Sequence, residues 1–189
     1  HSNLAAANLH HVDWLLANDL LARDSRWMSE AELAHPVKGR AGSTEADWVE
    51  AFNKRLIEQG LLPITLVDDP EAAPFDRLSA EVPDHMLIED PGAPLVTVIM
   101  STFKPDASFR VAVESLVAQT WRNLEILVVD DCSPPEFDEL LASVTSTDPR
   151  ITFLRMPENG GTYKIRNHAI ARCHGEVITF QDSDDWAHP

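Results

Sequence analysis

The sequence predicts an α/β protein: a parallel, Rossmann-like sheet with flanking helices, preceded by a mainly helical N-terminal region. In residues 91–189, short apolar runs alternate with amphipathic segments, which is typical of parallel strands joined by helices. In residues 1–90, apolar residues instead recur at three- and four-residue steps, which is typical of helices. A stretch rich in proline and acidic residues, 82–94, separates the two textures. We therefore place a domain boundary near residue 90.

Two helices are expected in the N-terminal region. The first covers residues 3–23, and Ser43 or Thr44 is suited to cap the second, which Gly60 would end. Nothing else in residues 1–93 has the spacing of a catalytic or metal-binding motif. The apolar face of the first helix consists of Leu4, Leu9, Val12, Leu16 and Leu20. The acidic first turn and the apolar stripe of the second consist of Glu45, Asp47, Trp48, Phe52 and Leu56.

The α/β part is expected to follow the order strand, helix, strand, helix, strand, helix, strand. Its strands are apolar throughout, so both faces of the sheet should be covered by helices. Asp106 is placed to cap the first helix, and Gly175 to end the last one. The predicted strands are 95–100, 124–129, 151–154 and 176–180. The predicted helices are 108–119, 135–146 and 162–174.

Composition and charge exclude several classes of protein. With 31 acidic and 15 basic residues the net charge is −16, which argues against a general nucleic-acid binder because phosphates need a basic surface. Two cysteines match no disulfide or zinc framework. No apolar run reaches the ~20 residues that span a bilayer. We expect a cytoplasmic location, which leaves open that the full-length protein works at the inner membrane face.

Three loops follow predicted strands at the carboxyl end of the sheet, where open parallel sheets bind ligands. They are residues 101–105, 130–133 and 181–186. Five carboxylates converge there, and like charges in proximity raise each other's pKa unless a cation or hydrogen-bond donors offset them. A divalent metal with oxygen ligands, carrying substrate phosphates, would do so. The five are Asp130, Asp131, Asp182, Asp184 and Asp185.

Each of these loops also has a purely structural interpretation. Asp130 and Asp131 fit the start of a helix, a turn, or the acidic pocket of a phosphoacceptor receiver domain. The acidic loop after the fourth strand fits a solvated surface. Residues 159–162 (Asn-Gly-Gly-Thr) fit a turn and helix cap, but they also suit backbone N–H groups aimed at an anion. Neither a Walker A loop nor a dinucleotide-binding glycine fingerprint is present.

Four blocks in this half, taken together, resemble family 2 glycosyltransferases of the GT-A fold. Their order and spacing match the family's opening strand and loop, its next helix and strand, its third loop, and its DxD block. The similarity covers residues 95–189, about half the chain, and does not extend to residues 1–93. The four blocks are 96–105, 115–131, 159–167 and 175–189.

The resemblance implies a nucleotide-sugar donor, most often a UDP-sugar, with a divalent cation, Mn²⁺ or Mg²⁺, and inverting transfer. It implies that Asp131 receives the imide N–H if the base is uracil, and that Asp182 meets the ribose. Asp184 would bind the metal, with Asp185 supporting or sharing that role. The implied nucleotide contacts are Thr102, Phe103, Asp131, Lys164, Arg166 and Asp182, with a helix-surface role the alternative for Lys164 and Arg166.

The chain departs from the family pattern in two places. Cys132 stands where the family usually has glycine, and a side chain disfavours positive φ there. The chain also stops at Pro189, just after the DxD block, so the general base and the site for an unknown glycan or lipid-linked acceptor are expected beyond it. We expect a truncated, inactive donor-binding half of a glycosyltransferase. The alternative is a non-catalytic nucleotide-binding or docking module.

Overall fold

The computed structural model describes residues 44–73, 75–90 and 92–189. The chain divides into two compact units between Ile64 and Thr65. Residues 65–90 thus group with the α/β part, upstream of the boundary near residue 90 that the sequence texture suggests. The predicted helix over residues 3–23 lies outside the described residues.

Helix α1, Glu45–Glu58, is the second of the predicted N-terminal helices. Its first turn is closed by a capping box, in which the Thr44 side chain accepts from the Asp47 backbone N–H and the Asp47 carboxylate accepts from the Thr44 N–H. Such reciprocal bonds satisfy donors that the helix itself leaves unpaired. Gly60, with φ 74°, follows the helix in the left-handed conformation. The predicted cap and end are therefore confirmed.

Residues 65–90 form short strands and 3-10 turns rather than helices. Strands β1, Thr65–Leu66, and β2, Leu78–Ser79, pair antiparallel. The 3-10 turns cover Phe75–Arg77 and Asp84–Met86. The prediction of a mainly helical N-terminal region is confirmed for α1. Proline, which interrupts helices, accounts for the lack of an α-helix in the described part of residues 65–90.

Four hydrogen bonds join Ile88, Ala93 and Pro94 to residues 120–123 of the α/β part. Ile88 donates its N–H to the Thr120 carbonyl at 2.8 Å and accepts from the Arg122 N–H at 3.3 Å. The side chains of Trp121 and Asn123 donate to the carbonyls of residues 94 and 93. These bonds explain why the proline-rich stretch belongs to the α/β unit instead of forming a free linker.

The main sheet has four parallel strands in the order β5-β4-β3-β6. Helices lie between them along the chain, so the predicted fold class is confirmed. Every predicted strand is present to within two residues at either end. The strands are β3 Val96–Thr102, β4 Leu124–Asp130, β5 Ile151–Arg155 and β6 Val177–Asp182. The helices are α2 Ala107–Val117, α3 Asp138–Thr145 and α4 Thr162–Ile170.

Both faces of β3 and β4 are buried, as their uniformly apolar sequences predict. Alternate residues point to opposite faces. One face packs on α2 and α3 through Val98, Met100, Phe109 and Leu141, among others. The other packs on α4 through Ile99, Leu127, Val129, Ile165 and Ala169. None of the helices in the described ranges is long and apolar enough to cross a bilayer.

Helix α4 ends at Ile170, several residues before Gly175, so the prediction that Gly175 terminates it is wrong. The need for glycine is steric. A Cβ at Gly175 would lie 2.5 Å from the Thr97 Oγ1 and 2.6 Å from the Thr97 backbone nitrogen. The segment that leads into β6 therefore passes against β3 at a distance that only glycine permits.

Candidate functional site

The strand order places the site. The chain runs outward from β3 through β4 to β5 and then returns to the other side of β3 as β6, so the order reverses between β3 and β6. Ligands of open α/β sheets bind at such a switch point, outside the carboxyl ends of the strands. The register brings Thr102 level with Asp130 and Ser101 level with Asp182. The three predicted loops thus share one edge.

Asp130 has a structural role at this edge. Its side chain is fully buried and accepts from the Arg155 Nε at 2.8 Å and from the Ser133 backbone N–H and hydroxyl. Arg155 also donates to Asp138 at 2.7 Å. The bond to Asp138, together with that to Asp130, outweighs partial burial and raises the pKa of Arg155. The carboxylate is thus paired and saturated, as a buried charge requires.

Asp131 is also buried, at 3% exposed, and it joins two loops. Its two carboxylate oxygens accept from the backbone N–H groups of Gly160 and Gly161, each at 2.8 Å. Its own N–H donates to the Thr102 carbonyl at 2.8 Å, and the Asn159 amide donates to its carbonyl. The loop at residues 159–162 does aim N–H groups at an anion, and that anion is the protein's own carboxylate.

Thr102 and Phe103 end β3 in contrasting surroundings. Thr102 is 3% exposed, and its Oγ1 has no hydrogen-bond partner in the part of the chain that the structure describes. A buried hydroxyl without a partner costs free energy, and native structures contain few such groups. Phe103 presents its ring to solvent, with the Lys104 Nζ 5.2 Å from the ring centroid.

Asp182 and Arg166, predicted separately as nucleotide contacts, are in direct contact. The Arg166 Nη2 lies 3.2 Å from the Asp182 Oδ1, and the guanidinium stacks 4.8 Å from the centroid of the Phe180 ring. Lys164 does not join them. Its ammonium is largely exposed and lies 4.0 Å from Glu158. Of the two predicted nucleotide-binding side chains on α4, Arg166 therefore contacts β6 and Lys164 does not.

Asp184 and Asp185 are exposed on the loop after β6. Partial burial, followed by the charges of Asp184 and Asp182, raises the pKa of Asp185. Within residues 44–73, 75–90 and 92–189, no three His, Cys, Asp or Glu side chains are grouped as a metal site. Carboxylate oxygens that repel one another are nevertheless the donors that a hard divalent cation prefers. The donor set therefore fits Mg²⁺ or Mn²⁺.

Cysteine in place of the glycine usual in the family leaves the backbone φ at residue 132 positive. Cys132 has φ 61°, the left-handed conformation that glycine would adopt without strain. Lys104, across the same edge, also has a positive φ, 50°, and donates its N–H to the Ser133 hydroxyl at 2.8 Å. The geometry expected of a glycine is thus retained with a cysteine.

Four residues make contacts at the site that the sequence does not predict. Arg155, at the end of β5, pairs with Asp130, and Phe180 packs on the Arg166 guanidinium. Gly160 and Gly161 donate to Asp131 and not to a ligand. The two residues of each contact are 14 to 30 positions apart in sequence, from Arg166–Phe180 to Asp131–Gly161. No local motif signals such contacts.

Comparison with known proteins matches the second half of the chain to a family. Residues 97–189 match glycosyl transferase family 2. The glycosyltransferase GlyA of Streptococcus pneumoniae serotype 4 is 34% identical over 101 residues, which is 53% of this chain and 14% of that protein. The succinoglycan biosynthesis protein ExoO of Rhizobium meliloti is 33% identical over 96 residues, or 51% of this chain and 27% of that protein.

Among solved structures, the mannosyltransferase PcManGT from Pyrobaculum calidifontis, in complex with GDP-Man and Mn²⁺, is 25% identical. The match covers 53% of this chain and 30% of that one, with a TM-score of 0.47. The chain thus spans well under half the length of each of these proteins. The family match has defined bounds: residues 97–189 of this chain are similar to glycosyl transferase family 2.

Proposed function

We propose that residues 91–189 are the donor-binding portion of an inverting, metal-dependent glycosyltransferase. The full-length enzyme would move a sugar from a nucleotide-sugar, of the UDP class, to an acceptor hydroxyl. One observation carries the proposal. The switch point of the sheet holds a buried, unpartnered Thr102 hydroxyl beside an exposed Phe103 ring and the Asp182 carboxylate. The match of residues 97–189 to glycosyl transferase family 2, and two relatives named for glycosyl transfer and for succinoglycan biosynthesis, support it.

The side chains at this edge have properties suited to a nucleotide. The Thr102 hydroxyl would gain a partner from the nucleoside, which removes the cost of its burial. The exposed Phe103 ring would pack against the base or sugar. Asp182 would accept ribose hydroxyls, and Arg166, whose guanidinium already lies at Asp182, would approach the diphosphate. Lys164 is exposed and is free to reach the same phosphates.

Asp184, with Asp185 supporting it, would hold the divalent cation. When bound, such a cation neutralises charge that develops on the leaving diphosphate. The residues themselves supply oxygen donors. Partial burial and then the charges of Asp184 and Asp182 raise the pKa of Asp185, and a bound cation would offset that repulsion.

The acceptor side is proposed to lie outside this chain. Inverting transfer needs a base that takes the proton of the acceptor hydroxyl, typically worth about 10²–10⁴ in rate. The chain spans well under half the length of the proteins it matches, so we propose that the base belongs to the remainder of the enzyme and that residues 91–189 alone do not transfer sugar. We further propose a glycan or lipid-linked acceptor, used in polysaccharide biosynthesis at the cytoplasmic face of the inner membrane.

Titration calorimetry of the folded chain with UDP, GDP and dTDP, with and without Mn²⁺, tests donor binding. We expect UDP to bind most tightly and to require the cation. An Asp184→Asn variant should lose the Mn²⁺ dependence, whereas Glu136→Gln, on a turn outside the site, should behave as wild type. Absence of binding by every nucleotide would refute donor binding and favour the docking module.

A further inference from the structure

We propose that three polar side chains hold the acidic loop after β6 in position for a divalent cation. They are Ser115 on α2, Gln119 just after α2, and Gln181 on β6. They bind the backbone of residues 185–188 and so fix the end of the loop that carries Asp184 and Asp185, the proposed cation ligands. This inference rests on the proposed function and deepens it, since it names residues that shape the cation site from outside it.

The Ser115 hydroxyl makes the first contact. The residue is 4% exposed, and its Oγ donates to the Ala112 carbonyl at 2.7 Å within α2. The same oxygen accepts from the Ala187 N–H at 3.0 Å. A serine hydroxyl can donate and accept at the same time, so this one joins α2 to the segment after the acidic loop. Ala187 also packs against the core cluster that α2 and α3 cover.

The Gln119 side chain makes the second contact. Its Nε2 lies 3.2 Å from the Ala187 carbonyl oxygen and 3.1 Å from that of His188. It also donates at 3.0 Å to the carbonyl of Ser115, one of the last four of α2, which have no partner within a helix. Gln119 therefore ties two consecutive carbonyls after the acidic loop to the end of α2.

The Gln181 side chain makes the third contact. Gln181 lies level with Met100, on the face of the sheet that packs on α2. Its Nε2 donates to the Ala112 carbonyl at 3.3 Å and to the Asp185 carbonyl at 3.0 Å. The Asp185 N–H in turn donates to the Asp182 carbonyl at 3.2 Å. The backbone of Asp185 is thus held at both its N–H and its carbonyl.

These contacts matter because of the charge that the loop carries. Asp182, Asp184 and Asp185 place three carboxylates within four consecutive positions, and like charges in proximity repel. Hydrogen bonds to the backbone on either side keep the loop folded without using the carboxylate oxygens that a cation needs. Mg²⁺ requires a closely defined ligand geometry, and ligands held in place beforehand lose less freedom when the cation binds.

The first experiment measures amide hydrogen exchange by NMR without any ligand. Ser115→Ala removes the acceptor of the Ala187 N–H, so this amide should exchange about fivefold faster than in the wild type. Ser143→Ala on α3 is the matched control. The Ser143 hydroxyl likewise donates to a carbonyl three residues earlier, that of Leu140 at 2.9 Å, and its loss should leave the Ala187 amide unchanged.

The second experiment titrates Mn²⁺ at a fixed UDP concentration by calorimetry. The Mn²⁺ concentration that gives half-maximal UDP binding should rise about fivefold in Ser115→Ala, and likewise in Gln119→Leu, which keeps the side-chain size but removes the donor. At saturating Mn²⁺ the UDP affinity of both variants should stay within about twofold of the wild type. Ser143→Ala should match the wild type throughout. A loss of folded protein would lower the number of binding sites instead of shifting the Mn²⁺ midpoint.

Unchanged exchange of the Ala187 amide in Ser115→Ala would overturn the inference. Unchanged Mn²⁺ midpoints in both variants, with a wild type that binds Mn²⁺ and UDP, would overturn the inference alone and leave the proposed function standing. A wild type that binds neither Mn²⁺ nor UDP would overturn the proposed function, and this inference with it.

Discussion

The two ends of the parallel sheet differ in how completely their polar groups are satisfied. At the amino end, the Thr97 hydroxyl donates to Glu125 at 2.6 Å and accepts from the Gly175 N–H at 2.9 Å. Glu125 also accepts from the His174 backbone N–H at 2.8 Å and lies 2.6 Å from the His174 ring nitrogen. Each of the four residues in this network forms a hydrogen bond with another member.

At the carboxyl end the pattern is mixed. Asp130 and Asp131 are buried and fully engaged by protein donors. Thr102 Oγ1 has no partner among the described residues, and Asp185 is repelled by its neighbours. At the amino end, Arg150 Nη1, next to the first residue of β5, also lacks a partner among the described residues. We therefore compare the Thr97–Glu125–His174 network, to which we assign a role in stability, with Thr102 and the loop after β6, which we propose bind the donor. Four substitutions test this division, and they follow in order of expected effect.

Asp130→Ala should have the largest effect, because it leaves the Arg155 guanidinium and the Ser133 N–H without their buried partner. We expect the free energy of unfolding to fall by about 3 kcal/mol in urea denaturation. Asp138→Ala removes the other, half-exposed partner of Arg155 and should cost less than about 1 kcal/mol. Equal losses in the two variants would contradict the structural role of Asp130 and move it to the ligand-binding group.

Gly175→Ala should be next. The new Cβ would meet the Thr97 backbone nitrogen at 2.6 Å, and backbone cannot move aside as a side-chain end can. We expect thermal denaturation to report a loss of about 2 kcal/mol, with nucleotide affinity unchanged once the protein is folded. Gly92→Ala, whose Cβ would meet only the Asp90 side chain at 3.4 Å, serves as control and should be nearly neutral.

Glu125→Gln should show its effect through pH. Burial opposes the charge of Glu125, but the His174 backbone N–H, the Thr97 hydroxyl and the His174 ring outweigh it, and its pKa is lowered from 4.5. A lowered pKa contributes stability that is present above about pH 4.5 and is lost as pH falls through the folded-state value. We expect the variant to be about 1 kcal/mol less stable at pH 7, with the difference vanishing in acid. A constant difference from pH 7 to pH 3 would contradict the ionic contribution.

Asp185→Asn should have the smallest effect, and in the opposite direction. Removing a charge that Asp184 and Asp182 repel should raise the unfolding free energy at pH 7 by about 0.3 kcal/mol, a small value because the loop is exposed to solvent. The same variant should bind Mn²⁺ more weakly. A loss of stability instead would show that Asp185 contributes to the free energy of unfolding, as the network at the amino end does.

Local chemistry explains which parts of the fold were predictable. Strand runs, the Asp106 cap of α2 and the capping box of α1 depend on residues within a few positions of one another. The positions of Thr102 and Asp184 near the carboxyl ends of strands follow from the predicted order of strands and helices along the chain. These features are encoded in short sequence windows, where propensity and periodicity apply directly.

The partners of the buried groups were not predictable, because they come from distant parts of the chain. Arg155 meets Asp130 across 25 residues, and His174 meets Glu125 across 49. Gly175 fits a helix end in sequence, but close approach to Thr97 gives its actual reason. Such residues come together only through the register of the sheet. Short sequence windows do not reveal that register.

Cys132 shows what holds the site in shape. Its φ of 61° costs a side-chain-bearing residue free energy, yet the loop keeps that angle between the Asp131–Thr102 bond on one side and the Ser133–Asp130 bonds on the other. The conformation of the turn is therefore set by the hydrogen bonds on either side of it and not by the conformational preference of Cys132. The hydrogen bonds on either side therefore keep residue 132 at a positive φ although it carries a side chain, and they keep the outline of the site with it.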